Sequence, residues 1–163
     1  MKKITMTLDP SSIQNAINEL NAYKKWLADK TNELTKRLAE IGADIAEDRF
    51  ASAMYDGVND VVVTVEQIDG GWKILASGEA VCFIEFGSGV FWNPSEPHPK
   101  RPPEVVGIGE YGLGQGKKKG WAYKDASGQR QFTRGNPASV AMWGARQKIV
   151  DEVRKVAKEV FSS

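Results

Sequence analysis

The run VCFIEFGSGV, Val81 to Val90, is the stretch on which the reading of the fold turns. Phe83, Ile84 and Phe86 supply much of its large apolar surface, and Glu85 is set among them. A carboxylate inside such a run is costly to bury unless something pairs with it. Gly87 and Gly89 permit backbone angles that other residues avoid, so the chain can turn sharply on leaving the run. Two readings follow. One is a core strand ending in a turn; the other places Glu85 and the glycine turn at a contact between subunits. Gly-Ser-Gly lacks the G-x-S-x-G spacing of a nucleophile elbow.

Working upstream, VVVTVEQI (Val61 to Ile68) and WKILAS (Trp72 to Ser77) are β-branched and aromatic runs separated by Asp69-Gly70-Gly71. That pattern predicts a hairpin. Gly78-Glu79-Ala80 then leads into the Val81 run, which is expected to add the next strand of the same antiparallel sheet, over about residues 60–90. Farther back, Ile13, Ile17, Leu20, Leu27, Leu34, Leu38, Ile41 and Ile45 recur at steps of three, four and seven. This is one apolar stripe on a helical segment over about residues 10–54, opened by Asp9 as N-cap and Pro10 in the first turn. Its length exceeds a normal globular helix, so a break is expected near Asp29 to Asn32, with a coiled coil as the alternative. Trp26, beside Lys24 and Lys25, reads as a packed aromatic, and Lys3 to Leu8 as a short strand.

Downstream, Asn93 to Pro103 holds five prolines and Val105 to Gly120 six glycines and three consecutive lysines. Neither suits a helix or central strand, so about residues 91–120 are expected to form a long mobile loop. Trp121 to Thr133 recovers hairpin character around Asp-Ala-Ser-Gly. Val140, Met142, Ile149, Val153, Val156, Val160 and Phe161 mark a C-terminal helix over about 137–161, with Lys155 and Lys158 complementing its dipole. The whole reads as one α+β domain. An antiparallel sheet of about three to five strands packs against the long N-terminal helical segment and the C-terminal helix.

Composition agrees: 41% hydrophobic and 26% charged residues in a chain of 163 make a globular domain with a genuine core. No apolar run approaches the roughly 18 residues of a spanning helix. The basic N-terminus lacks the apolar segment of a signal peptide, which predicts a cytoplasmic protein and no membrane partner. Cys82, the single cysteine, cannot form an intramolecular disulfide and reads as a core thiol. The net charge of +1 is unevenly spread: Met1 to Glu96 carries nine basic and fifteen acidic residues, Pro97 to Gly135 eight and three. Such asymmetry suits a polyanion-binding arm or the faces of a protein that stacks on a partner.

Residues able to carry catalysis are not assembled in any recognised pattern. The glycines from Gly107 to Gly116 fail the Walker A spacing, with Tyr111 and Lys118 at two required positions. His98 lies between prolines, and a single histidine cannot build an ordinary zinc site without other ligands. Asp44, Glu47 and Asp48 read as a solvated helix face. No catalytic, cofactor or metal residue is assigned. The better candidate is the interleaving of Lys117, Lys118, Lys119, Lys124, Arg130 and Arg134 with Trp121, Tyr123 and Phe132, which could hold phosphates without reading sequence.

FIEFGSG (Phe83 to Gly89), paired with the distant RGNPASVAMWGARQKI (Arg134 to Ile149), resembles the tail-completion, or head–tail joining, proteins of long-tailed bacteriophages. Glu85, Phe86, Gly87, Ser88 and Gly89 match an aromatic-glutamate-Phe-Gly-Thr/Ser-Gly signature. Gly135, Pro137, Ala138, Met142 and Ala145 match a motif that opens a terminal helix. Val140-Ala141 stands where Arg-Pro is common, and Ser88 replaces the commoner threonine. The resemblance implies a non-enzymatic phage or prophage virion protein that forms a ring, commonly a hexamer, and is made in the bacterial cytoplasm. Its expected partners are a connector or adaptor protein and the tail tube or tail terminator. The alternative is a small nucleic-acid-binding module using the basic segment from Lys117 to Arg134.

Overall fold

Helix α1, Pro10–Ala51, is unbroken over 42 residues, a length of about 63 Å. The computed structural model describes residues 4–55, 57–88, 120–124 and 127–162. The expected break near Asp29 to Asn32 does not occur. No glycine or proline lies between Pro10 and Gly42, and the Thr31 and Thr35 hydroxyls donate to the carbonyls of Leu27 and Thr31 within the helix. Asp9 caps the start, accepting from Ser12 N at 2.9 Å. Ser11 above all, then Thr7 and Ser12, hold its carboxyl well below the ordinary carboxylate range. Residues 4–8 form no strand. The helix stops at Ala51, where the Asn59 amide donates to the carbonyl of Phe50 at 2.8 Å.

Strands β1 (Val62–Ile68) and β2 (Gly71–Ser77) form the expected hairpin, antiparallel with Val63 opposite Ala76 and Val65 opposite Ile74. Gly70 takes φ +80 in the turn. The alternation of exposed and half-buried residues turns Val63, Val65, Ile74 and Ala76 inward, the expected two-residue period of a one-faced sheet. Trp72 ties this hairpin to α1 by donating its indole N–H to Asn32 at 3.0 Å.

The chain then departs from the sequence expectation. Val81–Phe86 is a helix, α2, and not a third strand. Asp60 explains the start: its two carboxylate oxygens accept the backbone N–H groups of Glu79 (2.7 Å) and Ala80 (2.9 Å). Ala80 and Ile84, one helical turn apart, are then buried together against Ala46 and Phe50 of α1. A second antiparallel pair, β3 (Trp121–Lys124) with β4 (Arg130–Thr133), forms a sheet of its own. The α+β class therefore holds, but among the described residues the four strands lie in two separate hairpins.

Helix α3, Ala141–Ser162, runs antiparallel along α1. Ala141 and Ala145 meet Ala46 and Phe50 near the C-terminal end of α1, while Val156 and Val160 meet Leu38. Near the far end, Arg37 pairs with Glu159 at 2.6 Å and Phe161 sets its ring edge-on to Trp26. Gly42 is the crossing point of three elements, since a Cβ there would lie 2.5 Å from Ile149 and 2.6 Å from Ile74. The helix begins at Ala141 and not at Pro137, because residues 137–140 are held by α2.

Candidate functional site

The two motifs that lie about fifty residues apart in sequence are one structure. The last turn of α2 presents free carbonyls, as every helix end must. Two are satisfied by the approach to α3: Ser139 N donates to Ile84 O at 2.8 Å, and Val140 N to Glu85 O at 3.1 Å. The Glu85 side chain reaches the same junction. Its carboxylate accepts the backbone N–H groups of Met142 (2.8 Å) and Trp143 (3.1 Å), first-turn donors of α3 that have no partner within their own helix. This is a carboxylate at the positive end of a helix dipole, in a site where Glu85 is only 3% exposed. The costly charge noticed in the sequence is thus accounted for within the chain.

Gly87 and Ser88 close the joint. Gly87 has φ +74, and a Cβ there would lie 2.7 Å from Ala138 N, so both conformation and space demand glycine. Ser88 N donates to Asn136 O at 2.8 Å, and the Ser88 hydroxyl donates to the Asn136 side-chain oxygen. The Asn136 amide nitrogen donates in turn to Phe83 O at 2.8 Å and to Pro137 O at 3.3 Å. Ser88 and Asn136 are both buried, and every buried side-chain polar atom among the described residues has a partner.

Val140 carries the strain of the joint. It is the one non-glycine residue with positive φ (+47) among those described, an unusual state for a β-branched side chain. It is held from both sides. Its N–H is bound to Glu85 O, and its carbonyl accepts from Gly144 N at 2.8 Å and from an Arg49 guanidinium nitrogen at 3.3 Å. Arg49 lies flat over Gly144, where a Cβ would come within 2.2 Å of the guanidinium, and its carbonyl accepts from the Ser139 hydroxyl. The C-terminal end of α1, the end of α2 and the start of α3 therefore meet in one hydrogen-bonded knot.

No family model, curated protein or solved structure matches the chain. The knot must therefore be read on its own geometry. Its polar atoms are directed at one another, which suits holding two chain segments in register. Nearby, burial above all, with Glu85 adding to it, pushes the Cys82 thiol up from its ordinary pKa, as expected for a structural thiol.

Of the residues singled out in the sequence, the structure brings Phe83, Glu85, Gly87, Ser88, Pro137 and Met142 into this knot. Phe86 is half-buried beside it, and Gly135 (φ +88) precedes it, its N–H donating to Thr133 Oγ1. Gly89, His98, Lys117, Lys118, Lys119 and the loop expected at 91–120 lie outside the described residues, save Gly120. Lys124, Arg130 and Arg134 are exposed, the first two directly opposite each other across β3 and β4. Asp44, Glu47 and Asp48 form the solvated face expected of them.

The participants that were not singled out include Asn136, Asp60 and Arg49. Asn136 had a signal in its place before Pro137, since Asn-Pro favours turn initiation. Asp60 had none, because it precedes β1 and reaches the start of α2 only once the β1–β2 hairpin has folded back. Arg49 had none, because its role depends on α3 passing over it.

Proposed function

We propose that the chain is a non-enzymatic structural protein of a phage or prophage virion, acting where head and tail are joined or the tail is completed. What supports the reading is that the two short motifs carrying the resemblance are mutually bonded partners. A coincidental match of either motif would not require the other to be its hydrogen-bonding complement. The contact that carries this support is that of Glu85 with the backbone N–H groups of Met142 and Trp143. In this reading the shared signature maintains the subunit fold, and ring contacts come from surfaces outside the knot. The ring would bind a connector or adaptor on one side and a tail tube or terminator on the other, within the host cytoplasm during assembly.

The test is removal of the chain from a phage-producing strain, followed by electron microscopy of the lysate. Filled heads and separate or unterminated tails are expected, with joining restored by the purified protein. Intact, infectious virions in its absence would overturn the proposal.

A second reading, nonspecific nucleic-acid binding, draws on Lys124 and Arg130. Like charges directly opposite on a hairpin repel, and an anionic partner would relieve that repulsion. Electrostatic binding of this kind weakens steeply with salt.

A further inference from the structure

We infer that the N-terminal half of α1 is a twofold docking surface for a second copy of this chain, paired antiparallel about Leu20. The apolar stripe that packs on α3 through Leu34 and Leu38 continues toward the N-terminus, where it is exposed. Ile17, Leu20, Tyr23 and Leu27 are 41–55% exposed, and Ile13 is 38% exposed. Single exposed apolar residues need no explanation, but five along one helix face form a continuous patch.

The spacing identifies the occupant. Relative to Leu20, these residues fall at −7, −3, 0, +3 and +7, a series that reads the same in both directions. A twofold contact needs a self-complementary surface of this sort. In an antiparallel pair, Leu20 meets its own copy, Ile13 meets Leu27 and Ile17 meets Tyr23. At −4, Ala16 is already buried within the single chain and adds no new contact, while Lys24, at +4, offers a long aliphatic stem whose ammonium can reach water. Beyond Leu27 the stripe opens into a groove of about 460 Å³ between α1 and the β1–β2 turn, with Thr31 and Ile68 among its walls. The same register carries the other copy's Leu8, 93% exposed, to that groove. About four turns of helix put the contact at or below the low end of specific interfaces, on the order of 1,000 Å² or less, so the dimer is weak. A twofold pair closes on itself and generates no ring, so this contact stands apart from the ring contacts proposed above.

The test uses the full chain with Cys82→Ala, carrying single cysteines along the stripe. Under mild oxidation Leu20→Cys should give a covalent dimer, while Ile13→Cys and Leu27→Cys alone should not. An equimolar mixture of those two should again give a dimer. Sedimentation of the wild-type chain should show reversible dimerisation, weakened at least ~tenfold by Leu20→Glu, which would bury two opposed charges. Because Leu20 is exposed in the single chain, its thermal melt at low concentration should not change. Cross-linking of Ile13→Cys or Leu27→Cys alone would mean a parallel pair and overturn the inference, as would a monomer up to about 0.5 mM. A ring or a complex with another phage protein that survives Leu20→Glu, without cross-linking at position 20, would also overturn it. That last outcome would leave the head–tail reading standing.

Discussion

Glu85 and Met142, 57 residues apart, are joined by a hydrogen bond of 2.8 Å from the Met142 backbone N–H to the Glu85 carboxylate. With the matching bond from Trp143, a side chain on one helix caps another. Glu85→Gln keeps the shape but turns one acceptor into a donor facing an N–H group. A loss of about 1–3 kcal/mol is expected from the unsatisfied contact and the lost charge at the dipole. Thermal and urea unfolding should both report it. An unchanged midpoint would mean that the capping contact contributes nothing to the fold.

Asn136 is the second member of the knot to test. Asn136→Ala removes the partner of the Ser88 hydroxyl and of the Phe83 carbonyl at once. A cost of about 2–4 kcal/mol is expected, because a buried donor, the Ser88 hydroxyl, and a buried acceptor, the Phe83 carbonyl, each lose this partner. Asn136→Asp should be no better, since a carboxylate oxygen would then face the Phe83 carbonyl. Rescue by aspartate would show that the amide donor is unimportant.

Two glycines separate conformation from contact. Gly70 (φ +80) has open space where a Cβ would stand, whereas at Gly87 (φ +74) a Cβ would press on Ala138 N at 2.7 Å. Gly70→Ala should cost about 1 kcal/mol from its left-handed backbone alone, and Gly87→Ala about 3 kcal/mol or more. Equal costs in chemical denaturation would contradict the close approach of α2 to the 136–138 segment.

Asp60 predicts a pH dependence. The backbone N–H of Ala80, then that of Glu79, bind its carboxylate and hold its pKa below the ordinary value. Its contribution to stability is therefore complete above the unfolded value, near 4, and is lost as pH falls through the lower folded value. The stability gap between the wild-type chain and Asp60→Asn should be constant from pH 7 to about 5 and shrink below about 4. A gap that widened on acidification would reverse the assigned direction.

For the basic hairpin, replacing both Lys124 and Arg130 with glutamine should leave folding intact, since both are exposed. If the second reading holds, the isolated protein should bind duplex DNA weakly and without sequence preference, and the double variant should show a shallower salt dependence. A sequence-specific footprint that survives physiological salt would displace the head–tail proposal.

What could be read from the sequence was whatever is decided within a few neighbouring residues. The stripe from Ile13 to Ile45 marked α1, Asp9-Pro10 marked its start, and Asp69-Gly70 marked the first hairpin. In each case the period or the turn chemistry is local. The α+β class followed from those elements. Tertiary structure alone decided the state of VCFIEF, because a run of six residues, five of them apolar, fits a strand or a buried helical turn equally well. Asp60 begins it as a helix from 20 residues upstream, and the α3 N-terminus, 57 residues downstream, receives its carboxylate. The same holds for the unbroken course of α1, where its length predicted a break that contact with α3 and Trp72 makes unnecessary. Glu85 was legible as a residue needing a partner. Which partner it has was settled only when the chain brought distant backbone N–H groups to it.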